Sequence, residues 1–380
     1  MNLTELLRAD AVPMATLQTR YGALLELVRK LIGVMPNCDP YLEIWPPAFR
    51  TYNVMVPNFL NLPLAIWSPT PEVGLAMYVA SRTAECAYCS AHTCSFALRR
   101  GAAADTVAHA LDDHPALTAR DRAAVAVARG LSRVPADLDD AARTELGAQF
   151  SPAQAEWVVL GVAMMGFLNK FMDAIGVELE PSTVAEVNGV IAGSGWRPGK
   201  HGTFDGADGP APRADGVGTK LGLLPYIPSA LSLDRKWTAG VPNRWPGVGE
   251  FLRAKTGHDF PLLSRLTHRR PIRAVATMIA DNYDAESSVV GLATKRAVAR
   301  VFADTVGNAA LGAELEALRA PAGTPDAAAL ALARAVSPSP ARVDDAVVEG
   351  SRALSPAAIV ELVTFVSVLQ MLHRLSAFYR

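Results

Sequence analysis

The sequence predicts an all-α protein. Segments rich in Ala, Leu, Val, Arg and Glu alternate with short breaks at Pro and Gly, and apolar residues recur within them at helical spacing. Two segments open with Ser-Pro, at Ser151-Pro152 and Ser355-Pro356, which puts Ser at the helix cap and Pro at the first helical position. No clear stretch alternates apolar and polar residues as a half-buried strand does. The clearest helical segments are 123–131, 153–171, 293–302 and 357–378.

Composition and charge narrow the class of protein. Half of the 380 residues are apolar and 19% are charged, as in a soluble protein with a large core. The net charge of -1 gives no global attraction to nucleic acid or to an anionic membrane, so we expect neither as a partner. Residues 1–20 lack the apolar core of a signal peptide, and the most apolar run, 157–168, is too short to span a bilayer. We expect a cytoplasmic protein.

A segment dense in Gly, Pro and Asp divides the chain. It covers residues 193–218 and has the composition of a linker. It separates a first half, residues 1–192, from a second half, residues 219–380. We predict that each half is a helical domain.

The two halves share sequence landmarks. A D-D-A and an S-P-A triplet recur with an offset of 204–205 residues, and a third block can be aligned with one inserted residue. A constant offset predicts an internal duplication, and coincidence among Ala-rich helices is the alternative. The aligned blocks are 128–141 with 333–346, 150–171 with 354–375, and 71–85 with 271–286.

The cysteines cluster. Cys86, Cys89 and Cys94 fall within nine positions, and Cys38 stands apart in a Pro-rich stretch without an evident partner. A disulfide-stapled secreted fold would spread its cysteines along the chain. A cluster in a cytoplasmic chain indicates redox chemistry or a metal.

The spacing of Cys86 and Cys89 fits a redox pair at the start of a helix. Residues 86–100 can form a helix capped by Gly101, and the two Cα atoms would then lie about 5 Å apart, within disulfide range. A helix start near Cys86 favours a thiolate through its dipole and free N–H groups. A thiolate can attack a peroxide O–O bond, and the second thiol can resolve the sulfenic acid to a disulfide.

Three neighbours of the pair are candidate partners. His92 lies on the same side of the helix as Cys89 and can hold a thiolate or relay a proton. Glu85 can orient His92 or shuttle protons, and Tyr88 can donate a hydrogen bond. For Glu85 and Tyr88 the alternatives are an exposed acid at a helix start and a packing aromatic.

Other interpretations of the cysteines remain open. Cys86 and Cys89 can be small buried hydrophobic residues, and Cys94 is expected to be one. A zinc site with His92 and Cys94 would need further ligands, because one straight helix cannot surround a tetrahedral ion. Haem attachment requires C-x-x-C-H, which the sequence lacks.

The second half has lost the motif. Residues 85–92 read E-C-A-Y-C-S-A-H, whereas the aligned residues 286–293 read E-S-S-V-V-G-L-A. We therefore expect the second half to keep the fold without the thiol chemistry, and to complete a pocket or mimic a partner subunit.

The motif C-A-Y-C-S-A-H, with its basic helix end and Gly101, resembles the carboxymuconolactone decarboxylase superfamily, in its alkylhydroperoxidase D-like branch. Residues 167–176 are similar to that family's final core helix. The resemblance covers residues 40–190 and extends weakly over 220–380. It implies two tandem alkylhydroperoxidase D-like helical domains, the second degenerate, in a chain that forms homo-oligomers.

The resemblance also implies an activity. It implies an antioxidant thiol peroxidase without cofactor or metal, in which Cys89 attacks a small peroxide, Cys86 resolves, and a thiol or dithiol reductant restores the pair. The family's proton relay uses an upstream Glu, the residue before the second cysteine, and a later His. Here the upstream position is Gly74, and His92 follows Cys89 by three residues rather than four.

Two competing functions are a decarboxylase-like lyase of the same fold and a non-catalytic scaffold or ligand-binding protein. The lyase branch does not need a cysteine pair, so retention of C-x-x-C counts against it. A second half that has lost the cysteine motif is a feature expected of a non-catalytic scaffold or ligand-binding protein.

Overall fold

The fold is known from a computed structural model that describes residues 2–62, 65, 68–203 and 206–379, apart from the side chain of Lys220. Within these residues there are α-helices and short 3-10 helices and no β-strand, which confirms the all-α class. In chain order the helices are α1 (Leu3–Leu7), α2 (Met14–Ile32), α3 (Asp39–Leu42), α4 (Pro46–Phe59), α5 (Thr70–Thr83), α6 (Ala87–Arg99), α7 (Ala104–Ala108), α8 (Ala119–Ser132), α9 (Asp140–Gln149), α10 (Pro152–Ile175), α11 (Pro181–Ile191), α12 (Val217–Leu221), α13 (Ile227–Trp237), α14 (Gly247–Thr256), α15 (Arg269–Asn282), α16 (Leu292–Val306), α17 (Ala309–Glu316), α18 (Ala327–Val336), α19 (Asp345–Gly350) and α20 (Pro356–Phe378).

Two long apolar helices, α10 and α20, pack against each other at the centre of the molecule. Each begins at the predicted Ser-Pro: Ser151 and Ser355 accept backbone hydrogen bonds at the cap, and Pro occupies the first turn. Gly166 of α10 faces α20. A Cβ there would lie 2.9 Å from the carbonyl oxygen of Gln370 and 3.1 Å from Cδ of Arg374, so the glycine permits the close approach of the two backbones.

Both central helices are long and apolar enough to cross a membrane by length and composition alone. Within their most apolar windows, 94% of the α10 residues and 89% of the α20 residues are buried inside this protein. Core helices of soluble proteins pass the same test, so the observation is weak evidence for a membrane.

Helices from both halves surround this central pair. In the first half α5, α6 and α8 pack on α10, and in the second half α15, α16 and α18 pack on α20. Along the chain, α5, α6 and α8 correspond in the same order to α15, α16 and α18, as a duplication requires. The buried hydrophobic residues of the described chain form one continuous cluster that includes both halves, and α15 packs directly on α4. The duplication and the division into two domains stay predictions.

The Gly- and Pro-rich segment 193–218 is anchored to the first half at several described positions. Trp196 is buried and donates from its indole nitrogen to the carbonyl of Ala87 at 3.1 Å. His201 is buried with its Nδ1 2.6 Å from the carbonyl of Val177, and the amide of Asp215 donates to Arg99 at 2.8 Å. One indole and one imidazole thus anchor a segment whose composition alone predicts a free tether.

The approach of α10 to α20 at Gly166 can be tested with Gly166→Ala. The added methyl group meets backbone at 2.9 Å, so we expect a loss of about 1–3 kcal/mol in the free energy of unfolding, measured by urea denaturation. Gly147→Ala is the matched control, because nothing lies within 4 Å of a Cβ there and it is also a helical position. Alanine should stabilise that helix by up to about 1 kcal/mol. Equal effects at both positions would contradict the close approach.

Candidate active site around Cys89

The cysteine pair lies at the start of α6, as the sequence predicts. Cys86 is the N-cap residue, and its Sγ accepts a hydrogen bond from the backbone N–H of Cys89 at 3.3 Å. Cys89 follows in the first turn, so the two sulfurs lie side by side. Glu85 precedes the helix in the left-handed region, with φ of 56°.

Cys89 lines a large apolar cavity of about 1240 Å³, part of which is open to solvent. Cys86 is fully buried and is absent from the cavity wall, so a compound entering the cavity meets Cys89. Tyr88 and His92 of the same helix also line the cavity. Much of the remaining wall comes from α2, α4 with its C-cap Leu60, α5, α6 and α10. The lining residues from these helices include Leu24, Leu27, Leu31, Val56, Met77, Phe96, Met164, Met165 and Leu168.

The second half closes this cavity. Ile227 and Trp237 of α13 contribute apolar surface, and Asp234 and Arg270 are the charged residues of the lining. Both are already paired with Asn58, which donates to Asp234 at 2.8 Å and accepts from Arg270 at 2.9 Å. Both halves therefore contribute to the cavity wall. This agrees with the expectation that the half without cysteines completes a pocket.

A carboxylate that sequence reasoning missed, Glu180, organises the residues beside Cys89. Its Oε2 lies 2.7 Å from Nε2 of His92, and its Oε1 accepts from the Tyr88 hydroxyl at 3.0 Å. The same Oε1 accepts the backbone N–H of Asn37 at 2.7 Å. Glu180 stands at the N-cap of α11, so its local sequence signals only an acid at a helix start. Glu180 and His92 are 88 residues apart, so no local sequence pattern links them.

The partners of Glu180 keep it ionised. Burial alone raises the pKa of Glu180, but the charge and hydrogen bond of His92, with the backbone donors, outweigh it and lower the pKa below its ordinary value. Burial and the neighbouring Glu180 raise the pKa of Tyr88 well above its ordinary value. Tyr88 therefore keeps its proton and donates it to a carboxylate.

Burial governs the thiol of Cys89. Burial first, and then the neighbouring Cys86, raise the pKa of Cys89 well above its ordinary value. The expectation that the helix start makes a thiolate is therefore not met at this sulfur, since desolvation opposes it. In the resting protein Cys89 is a neutral thiol, and its reaction requires a proton acceptor.

A third cysteine reaches the same cavity. Cys38 is fully buried and lines the wall with Cys89 and Tyr52. Burial and the neighbouring carboxyl groups raise its pKa well above the ordinary value. The adjacent Asp39 is also buried, and burial, Glu180 and Glu43 together raise its pKa to about 8. Nothing in the Pro-rich sequence around Cys38 indicated that this cysteine would line the cavity.

A buried lysine, Lys170, lies behind the pair on α10. Burial lowers the pKa of Lys170 to about 7, while Asp173 and Cys86 act in the opposite direction. Its Nζ donates to the carbonyls of Ser337 and Pro338 and to the hydroxyl of Ser339 in the second half. The ammonium is therefore held by the turn before α19.

The structure brings together four of the five candidate residues: Cys86, Cys89, Tyr88 and His92. Glu85 is exposed and lies outside the cavity lining. Cys94 is packed in the core, as expected, where burial raises its pKa to about 12. Among the described residues, no group of three or more His, Cys, Asp or Glu side chains could hold a metal ion.

Comparisons with known proteins give no family. No family model matches the sequence, and no curated protein matches it. Two solved structures are similar to part of the chain. The debrominase Bmp8 in its apo form is 21% identical with a TM-score of 0.42, over 46% of this chain and 93% of that one. A variant of the debrominase Bmp8 in complex with 2,3,4-tribromopyrrole is 20% identical with a TM-score of 0.43, over 47% and 95%.

The role of Glu180 can be tested with Glu180→Gln. At pH 7 we expect a loss of about 1–3 kcal/mol in the free energy of unfolding, because a buried carboxylate that accepts three hydrogen bonds is removed. The folded-state pKa of Glu180 is lowered, so its contribution is full above its ordinary value of 4.5 and is lost as the pH falls through the lower folded value. Urea denaturation of variant and wild type should therefore converge in acid.

Glu178→Gln is the matched control, since Glu178 is an exposed carboxylate two residues earlier. We expect it to change stability by less than about 0.5 kcal/mol. A Glu180→Gln penalty that is the same at neutral and acid pH would contradict the charged interaction.

Proposed function

We propose that the protein is a thiol-dependent hydroperoxide reductase, a disulfide-cycling oxidoreductase in which Cys89 attacks and Cys86 resolves. One observation carries the proposal: Cys89 faces an apolar cavity, and Cys86 lies behind it at the helix cap. His92 and Tyr88, both held by Glu180, line the same cavity. A resolving thiol out of reach of the cavity and an attacking thiol within it are what a two-cysteine cycle needs.

The first step oxidises Cys89. His92 shares its Nε2 proton with Glu180, so its Nδ1 is the base that takes the proton of the Cys89 thiol. The sulfur attacks the outer oxygen of the hydroperoxide and the O–O bond breaks. Cys89 becomes a sulfenic acid, and the departing alkoxide takes the proton from His92 and leaves as an alcohol. Two electrons pass from sulfur to the peroxide.

The second step forms a disulfide. The sulfur of Cys86 attacks the sulfenic sulfur of Cys89, and the hydroxyl group leaves with the Cys86 proton as water. A thiol or dithiol reductant then supplies two electrons and two protons to restore both thiols. A homo-oligomer in the cytoplasm, where such reductants are kept reduced, is part of the same proposal.

The cycle is tested by peroxide consumption with dithiothreitol as reductant. We expect Cys89→Ser to lose turnover to the uncatalysed rate, since the attacking sulfur is gone. With dithiothreitol left out, pre-reduced Cys86→Ser protein should consume about one equivalent of peroxide and stop, with a sulfenic acid at Cys89 that dimedone traps for mass spectrometry. A sulfenic acid that accumulates in the Cys86→Ser protein assigns both roles.

The matched control is Cys94→Ser, which changes the other buried cysteine of α6, packed outside the cavity, and should keep near-wild-type turnover. Unchanged turnover in Cys89→Ser would contradict the proposal. Thiols that stay inert to peroxide in a folded protein would favour a ligand-binding role for the cavity.

A further inference from the structure

One helix of the second half, α13, turns a single face to the cavity that Cys89 lines. Its apolar residues in the lining are Ile227, Ala230, Leu231 and Trp237, which we call the α13 stripe. Residues three or four apart on a helix share a face, and this spacing holds along the stripe through Asp234. The stripe residues are half-buried. The half without cysteines thus contributes an apolar surface to the cavity.

Three neighbouring helices hold α13 in place. The carboxylate of Asp234 accepts from Asn58 on α4 at 2.8 Å and from Arg273 on α15 at 3.2 Å. The ring centroids of Trp237 and of Tyr21 on α2 are 5.9 Å apart. A site selects among ligands only when its wall has a fixed position. These contacts give the α13 stripe such a position.

The cavity has room for a large ligand. The α13 stripe and Cys89 belong to different walls, because α13 packs on α2 and α4 while Cys89 stands on α6, which packs on α5 and α10. The volume is about 1240 Å³, part of which is open to solvent. Hydrogen peroxide is little larger than a water molecule, whose share of liquid volume is about 30 Å³. Such a small peroxide would leave most of this space unused.

Several polar side chains of the lining already bond within the protein. The hydroxyl of Thr93 donates to the carbonyl of Cys89 at 2.6 Å. The amide of Asn53 donates to the carbonyl of Phe49 at 2.9 Å. Arg270 donates to backbone carbonyls at and just after the end of α4. A polar ligand would lose its hydration without gaining these groups as partners, whereas an apolar one loses little.

We propose that the cavity is a site for molecules with a long apolar body, and that the α13 stripe selects them by packing against that body. Burial of the body is favourable in proportion to the apolar area removed from water, and hydrogen peroxide has no such area to bury. The inference rests on the proposed function for the reactive group alone: under that function the ligands are long-chain hydroperoxides whose O–O bond meets Cys89.

Turnover with two peroxides tests the selection. With dithiothreitol as reductant, kcat/KM of the wild type for the hydroperoxide of methyl linoleate should exceed that for hydrogen peroxide by about tenfold or more. Ala230→Phe adds a ring to the stripe, where it takes up space that the ligand needs. We expect the ratio of the two kcat/KM values to fall by about tenfold in this variant.

Ser232→Phe is the matched control. It adds the same ring to the exposed outer face of α13, outside the cavity lining, and should leave the ratio unchanged. If Ala230→Phe does not fold, Leu231→Gln takes its place and is judged by the same criteria. A ratio that is unchanged in the stripe variant, or that falls equally in both variants, overturns the role of α13.

Binding of N-phenyl-1-naphthylamine, an uncharged apolar dye that fluoresces out of water, tests the site without turnover. We expect the wild type and Ser232→Phe to bind the dye equally, and Ala230→Phe to bind it about tenfold more weakly. Equal binding by all three proteins overturns the inference. Thiols that are inert to peroxide, with dye binding that depends on Ala230, reject the proposed function and leave the site. Fast turnover without preference for the long-chain hydroperoxide rejects the selection and leaves the proposed function.

Discussion

The contact between α10 and α20 is the constraint on which the rest of the structure depends. Both helices are apolar over most of their circumference, and such helices are stable in water only when other helices surround them. Gly166 lets them approach closely, which places the stem of Arg374 across α10. The same packing fixes Met164 and Met165 as one wall of the cavity and sets the distance between the halves. A disturbance of this contact therefore reaches the cysteines.

The chemistry of the cavity follows from desolvation. Its apolar wall raises the pKa of Cys89, so the thiol stays protonated until a base takes its proton. Glu180 holds His92 and Tyr88 by hydrogen bonds, and its lowered pKa keeps it a carboxylate that accepts from Tyr88. The apolar wall lowers the local dielectric constant, which strengthens electrostatic interactions at the cavity. In the proposed cycle, a Cys89 thiol that ionises only when it reacts is protected from unrelated oxidants.

Local sequence patterns predicted the all-α class, the Ser-Pro starts of the central helices and the position of Cys86 at a helix start, because caps and helical periodicity depend on neighbouring residues. Glu180, Cys38 and the wall formed by α13 could not be predicted in this way. Each meets the site across a long stretch of chain, and the acid that pairs with His92 is 88 residues away. The sequence also favoured Glu85, which is adjacent along the chain but points away from the cavity in a turn with positive φ.

In the proposed function Cys86 and Cys89 form one redox couple, and the other two cysteines stand outside it. Its most direct measurement is the mapping of oxidised sulfurs after the reduced wild-type protein meets one equivalent of an organic hydroperoxide. We expect a peptide that has lost two hydrogens through a Cys86–Cys89 disulfide, with Cys38 and Cys94 still alkylated as thiols. A disulfide from Cys89 to Cys38, or four unreacted thiols, would contradict it.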